Sequence, residues 1–486
     1  MKKIEEFKDF FADLSKKQKI TYISLIVTAF ILTESILFWA VTSPAMKGLF
    51  EWVNYVRTVV YLICLIGLIF PVIAGIIIFI NQKKTPSKKP IKFLMILAIF
   101  SLIIPIGFYG YTISIPFQRD GDKPPQLLLL NGSGINGVPN MAVSFWTEDR
   151  TTSTINWGPT ESMGTKSNEL TKSHTHSYLL EDLLPNITYF YQVNNVGQIY
   201  NFTTMPNLPN TFKFMTSSDP HFGAENANRT VTDEILKQLI DPSNGYQSFF
   251  MLGDMVEYGL FDSQYKEACD TFSPVTSHIP FRPVIGNHDI LLGGPTFWED
   301  YFSPDLIEDA PRDYFHIEIN GIQIFVLDLE WGTESYTKEQ KTWFETELEE
   351  STDPDDWILV MSHCFYYASG YLVDGSDWWD HQEMIDTFEP IFVDNGIDMV
   401  FSGHNHIFER LENNGVNYNI VGGFGGHPDT DFEKEDDVIG QTGTGSIYYS
   451  TDMFGFLEVD IQGDDAYLAF RTPENQTVYN YTITRL

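Results

Sequence analysis

"FSGHNHIFER", residues 401–410, sets two histidines two positions apart, with a glycine in front and an asparagine between. A helix would favour a spacing of three or four. On extended chain, residues i and i+2 point to one side, so His404 and His406 can reach a common cluster. The alternative is a solvated loop pair. The choice rests on what else the chain sends to the same place.

Four other apolar runs end in a polar, metal-competent residue. "FKFMTSSDPH" ends at Asp219 and His221, and "SFFMLGD" at Asp254. "FRPVIGNHD" ends at Asn287, followed by His288 and Asp289, and "WILVMSH" ends at His363. Helical stretches at 230–240, 337–350 and 382–394 alternate with these runs, the pattern of an α/β domain. Asn320-Gly321 marks a hairpin, so part of the sheet is antiparallel. Residues 446–485 read as an antiparallel meander. In open α/β sheets, ligands gather at the carboxyl ends of strands. Five of the chain's 11 histidines lie at these ends.

Apart from His288, the ends offer two aspartates, an asparagine oxygen and four imidazoles. Mixed N/O ligation without thiolate suits Fe, Zn or Mn. Seven ligands exceed what one ion with an open position takes. They suit two divalent or trivalent ions sharing a carboxylate, ~3.5–4 Å apart. Asp254, after a glycine, is the natural bridge. His404 and His406 then serve different ions, with Gly403 relieving crowding at the strand end.

These motifs resemble those of the calcineurin-like metallophosphoesterases: D-x-H at 219–221, G-D-x-x-x-x-G at 253–259, G-N-H-D at 286–289, His363, and G-H-x-H at 403–406. "GHNHIFER" and "NIVGGFGG" are similar to stretches of the purple acid phosphatases, and residues 139–205 to their fibronectin-like domain. The resemblance implies hydrolysis of phosphate esters. Asp219, His221, Asp254 and His406 are expected to hold one ion, and Asp254, Asn287, His363 and His404 the other. His288 is expected to stabilise phosphoryl charge or protonate the leaving oxygen, with Asp289 orienting it. Two departures stand out. The purple enzymes have D-x-G where this chain has D-x-H, and an iron-binding tyrosine where this chain has Glu257. The coloured tyrosinate is therefore expected to be absent, with His221 in its place.

Charge divides the chain. Residues 1–117 hold 13 Lys/Arg against 6 Asp/Glu, and residues 118–486 hold 17 against 59. So acidic a part is a poor binder of nucleic acid. Long polyanions are disfavoured too, and small phosphate esters are the expected substrates, monoesters first. Diesters of nucleotides or lipid head groups are the enzymatic alternative. A surface receptor or adhesion module with structural metals is the alternative of another class.

Three apolar stretches, at about 20–42, 56–80 and 91–117, each reach the ~20 residues that a membrane-crossing helix needs. Eleven lysines flank them on one side, in the N-terminal tail and in "NQKKTPSKKPIK", while the loop at 43–54 carries only Lys47. This predicts a cytoplasmic N-terminus, a lipid bilayer as partner through three helices, and a catalytic part outside the cell. Six N-x-S/T sequons fall after residue 117. Glu34 lies mid-span and is expected to be protonated against a neighbouring helix. Cys269 and Cys364 are expected to be buried thiols, with a disulfide open to them in an oxidising compartment.

Between 139 and 205, short alternating runs separated by turn residues suggest a β-sandwich. The expected architecture is thus multi-domain. A membrane anchor of three transmembrane α-helices spans 1–117. A linker and an all-β fibronectin-like sandwich span 118–207. An α/β metallophosphoesterase domain, a two-sheet α/β/β/α sandwich with C-terminal strands, spans 208–486.

Overall fold

The computed structural model describes residues 120–485 apart from 131, 134–137, 195–196, 292–294, 305, 307–312, 354, 370–371, 374–375, 378–379, 429–443 and 452. Three parallel strands, Thr211–Ser217, Ser248–Leu252 and Phe281–Val284, lie side by side in one sheet. Four more, Ile322–Val326, Trp357–Met361, Met399–Ser402 and Val416–Val421, lie side by side in a second. The runs "SFFML" and "WILVM" are buried at all five positions. Unbroken apolar strands are what a parallel sheet covered on both faces requires.

One covering is the other sheet. Phe214, Phe250, Ile324, Leu359 and Phe401, all fully buried, belong to a single cluster fed by both sheets. Phe214 meets Phe401 edge-on at 6.0 Å across this layer. The other covering is helical. Ile235 and Leu239 of helix Arg229–Ile240 and Phe272 of helix Asp262–Thr276 pack on Met215, Phe249 and Met251. Phe344 of helix Lys338–Ser351 and Phe388 of helix Gln382–Asp394 pack on Phe325, Val360 and Val400. Asn228, Thr337 and His381 cap three of these helices by accepting from backbone N–H groups. Such a cap is worth about 1 kcal/mol.

Asn320 and Gly321, both at positive φ, close the hairpin between Phe315–Ile319 and Ile322–Val326. Strands Phe456–Gln462, Asp465–Arg471 and Thr477–Thr484 form a meander on the first sheet. Ser446–Ser450 joins the second sheet instead.

One part of the expected fold class is corrected. Among the described residues no helix is long and apolar enough to cross a membrane. The stretches expected to span it, and Glu34, lie outside the described residues. The fold shown is mixed α/β. The strands expected to form a sandwich fall into two sheets that share a buried cluster, and one of the two is continuous with the first sheet. Lys123–Leu129 pairs in parallel with Phe281–Val284, and Met141–Thr151 and Ser173–Leu180 extend that same sheet. Only Thr154–Gly158, Thr165–Asn168, Thr188–Val193 and Tyr200–Thr203 form a separate four-stranded sheet. Alternation marks a half-covered strand but not the sheet it joins. The buried ion pair of Lys123 with Asp262, 2.9 Å, fastens the first of these strands to the helix beside it.

Candidate metal centre

The parallel strands of both sheets deliver their carboxyl ends to one place. Ser217 leads to Asp219 and His221, Leu252 to Asp254, and Val284 to Asn287 and His288. Met361 leads to His363, and Ser402 to His404 and His406. Ligand atoms of Asp219, His221 and His406 lie within 4.8 Å of one another, as do those of Asp219, Asp254 and His363. His363 Nε2 and His404 Nδ1 each lie 2.8 Å from Asn287 Oδ1 and 3.3 Å apart. His363 Nε2 is 3.3 Å from Asp254 Oδ1, and His221 Nε2 is 3.6 Å from Asp254 Oδ2. Asp254 therefore offers one oxygen to each group.

The backbone is bent to achieve this. Asp219, His221, Asp254 and His404 all take positive φ, between 45° and 68°. For non-glycine residues that conformation costs roughly 1–3 kcal/mol each. Two glycines make room. A Cβ on Gly253 would meet His363 Nδ1 at 2.3 Å, and one on Gly403 would meet Ser218 Oγ at 1.9 Å.

Hydrogen bonds behind the rings decide which nitrogens face inward. His363 Nδ1 donates to the Leu252 carbonyl at 2.7 Å and His406 Nδ1 to the His427 carbonyl at 2.5 Å. His221 Nδ1 donates to Glu257 Oε2 at 2.9 Å. The Nε2 atoms are thereby turned into the centre. Those of His221 and His406 face each other at 3.0 Å. In neutral rings so held, two lone pairs would confront each other, and a cation relieves the conflict. Asp219 Oδ1 is buried without a hydrogen-bond partner. A carboxylate oxygen left bare beside two imidazoles fits a cation site.

The electrostatics agree. Burial opposes charge on Asp219, but the imidazoles of His221 and His406, 3.7 and 3.6 Å from Oδ1, outweigh it and hold the carboxyl well below its usual range. Burial likewise opposes charge on His363, yet the Asp254 carboxylate raises the ring to about 9. Burial and the neighbouring His363 push His404 down to about 3. Against burial, the neighbouring carboxylates raise His221 as well, so the cluster holds positive charge on His221 and His363 where ions can take it over. The residues fit two metal ions with N/O ligands. One would rest on Asp219, His221, Asp254 and His406, the other on Asp254, Asn287, His363 and His404.

His288 and Asp289 differ from these seven. His288 Nδ1 donates to the Glu257 carbonyl at 2.8 Å, and its Nε2 lies 3.9 Å from Asp254 Oδ2. The expectation that Asp289 orients His288 is corrected. Its carboxylate instead accepts from the backbone N–H groups of Gly286 (2.9 Å), Val256 (3.2 Å) and Met255 (3.3 Å). It braces the turns that carry Asp254 and Asn287. Burial, with Asp254 nearby, raises it to about 8.

Glu257 entered the sequence reading only as a departure, yet it holds His221 by its carboxylate and His288 by its carbonyl. Trp331 was missed. It sits edge-on to His404 at 6.1 Å, and Phe365 stacks on that ring's other neighbourhood at 5.9 Å. Trp331 follows "IQIFVLDLE", another apolar run leading off a strand end, and that was the available signal. Cys269 and Cys364 are buried free thiols and do not pair.

Residues 212–408 match the calcineurin-like phosphoesterase family. The chain is similar to purple acid phosphatases. The chain is 26% identical over 251 residues to "Probable purple acid phosphatase 20" of Arabidopsis thaliana, covering 47% of this chain and 53% of the relative. It is 23% identical over 274 residues to "Fe(3+)-Zn(2+) purple acid phosphatase 12" of the same plant, covering 52% and 56%. The chain spans about half the length of these curated relatives. The solved purple acid phosphatase PPD1 from yellow lupin (Lupinus luteus) seeds shares the fold, with a TM-score of 0.61, 17% identity and coverage of 75% of each chain.

Proposed function

We propose that this protein hydrolyses small phosphate esters, monoesters first, at a two-ion centre built on Asp254. The observation that carries the reading is the convergence of seven N/O ligands in two groups that share this one carboxylate. Ions held there supply Lewis-acid charge to the ester oxygens and lower the pKa of a water.

The chain's own residues do the rest. Asp254 keeps the two groups in register through its two oxygens. Glu257, by accepting from His221 Nδ1, fixes that ring's tautomer and strengthens it as a ligand. Its carbonyl, by accepting from His288 Nδ1, fixes that ring with Nε2 turned toward Asp254. Burial holds His288 below the ordinary imidazole value, partly offset by Asp254. The ring is therefore an acid only on the acidic side of neutrality. A leaving oxygen that takes its proton from His288 Nε2 departs fastest there.

The acidic exterior supports small substrates. Salt limits the reach of outer carboxylates to ~8–10 Å, which a short ester can pass and a long polyanion cannot. The test is the purified, metal-analysed protein on a monoester and a diester side by side. Faster turnover of the monoester, rising toward acid pH, is expected. Preference for the diester would make the protein a phosphodiesterase. No turnover of either by the metal-loaded protein would end the enzymatic reading.

A further inference from the structure

The group formed by Asp219, His221 and His406 hangs on a clamp that the other group lacks. Arg229 is the first residue of helix Arg229–Ile240. Its Nη1 donates to the Pro220 carbonyl and its Nη2 to the His221 carbonyl, each at 2.7 Å. Its Nε donates to Glu267 at 3.0 Å, and its plane lies 3.9 Å from the Phe222 ring. Those two carbonyls belong to the turn that forces Asp219 and His221 to positive φ. A turn with that intrinsic cost persists only where its surroundings over-determine it.

The same helix end grips a second loop. Asn228 N donates to the Gly425 carbonyl at 2.7 Å, and Thr232 Oγ1 donates to the Phe424 carbonyl at 3.0 Å. Gly426 N donates to the Asp219 carbonyl at 2.8 Å. The next residue, His427, supplies the carbonyl that orients His406. His363, by comparison, is held by the Leu252 carbonyl at a strand end, and Asn287 lies three residues past the strand Phe281–Val284.

We propose that Arg229 is a positioning residue that sets the affinity of the Asp219–His221–His406 half of the centre. It acts by clasping the two carbonyls of the ligand turn in the fork of its guanidinium. Lysine cannot replace it, because a point charge on a flexible stem cannot hold two carbonyls and a carboxylate in one plane. The inference rests on the two-ion reading and goes beyond it.

The test is calorimetric titration of the full chain with Mn(II), with melting followed in parallel. Wild type is expected to bind two ions. Arg229→Lys is expected to keep one at wild-type affinity and bind the other about 10–100-fold more weakly, the loss typical of partners behind a ligand. Thr232→Val, which loosens the second loop alone, should weaken that same ion by less. Glu267→Gln keeps both carbonyl bonds and should match wild type. Unchanged affinities in Arg229→Lys, or equal loss of both ions, would overturn the inference. A wild type that holds fewer than two ions would instead overturn the two-ion reading itself.

Discussion

The two halves of the metal centre offer similar ligands on unlike supports. Asp219 and His221 stand on a positive-φ turn, and these two and His406 are held by polar partners: Glu257, Arg229 and the His427 carbonyl. Asn287, His363 and His404 each lie two or three residues past a strand, and His404, also at positive φ, is walled by Trp331 and Phe365. Directional hydrogen bonds hold the first half, and packing with strand geometry holds much of the second. Substitutions should therefore separate the halves by the kind of contact removed.

Asp254 is the exception that tests the comparison hardest, because it belongs to both halves. Asp254→Ala should release both ions and end hydrolysis, a loss beyond the roughly 100-fold typical of outer partners. Metal analysis and turnover check it. If this variant kept one half loaded, the halves would be independent sites.

His288 belongs to neither half. His288→Ala should leave both ions bound and slow an alkyl phosphate by ~10²–10⁴-fold, the usual worth of a general acid. A nitrophenyl ester, whose leaving group is stable without a proton, should suffer less. The rise in rate toward acid pH should flatten, since the ring that must be protonated is gone. Equal loss on both esters would point to charge stabilisation instead.

Smaller effects should fall on one half only. Glu257→Leu should weaken one ion by about 10–100-fold, and Glu257→Gln, which keeps an acceptor for His221 Nδ1, should recover part of it. Trp331→Ala should weaken the other ion, by under about tenfold. Titrations that showed the same ion affected by both would erase the distinction.

A separate effect concerns stability behind the site. Glu409 is fully buried and accepts from Ser369 N and Oγ and from Ser446 Oγ. Burial raises its carboxyl from 4.5 to about 7. A raised acid favours the folded state while neutral. Its contribution is thus full below about 4.5 and is lost as pH rises through 7. At about 1.4 kcal/mol per unit, that is on the order of 3 kcal/mol. Glu409→Gln should flatten the fall in melting temperature over that range. An unchanged slope would show that another group sets it.

How much of this was legible in the sequence follows from distance along the chain. Each predicted ligand ends an apolar run, so a local pattern placed it. The His221–Glu257 bond joins residues 36 apart, and the clamp at Arg229 works through carbonyls, which carry no residue signature. The sheet shared by Lys123–Leu129 and Phe281–Val284 escaped for the same reason: pairing partners so remote leave no local mark. Asp289 was misread because its neighbour in sequence is not its partner in space.

Two ions sharing the Asp254 carboxylate would define the centre. Anomalous diffraction from crystals loaded with Zn(II) tests that directly. Two peaks are predicted, ~3.5–4 Å apart. One should lie among Asp219, His221 and His406, the other among Asn287, His363 and His404, with an Asp254 oxygen within ~2.2 Å of each. A single peak, or two peaks with Asp254 bound to only one, would contradict it.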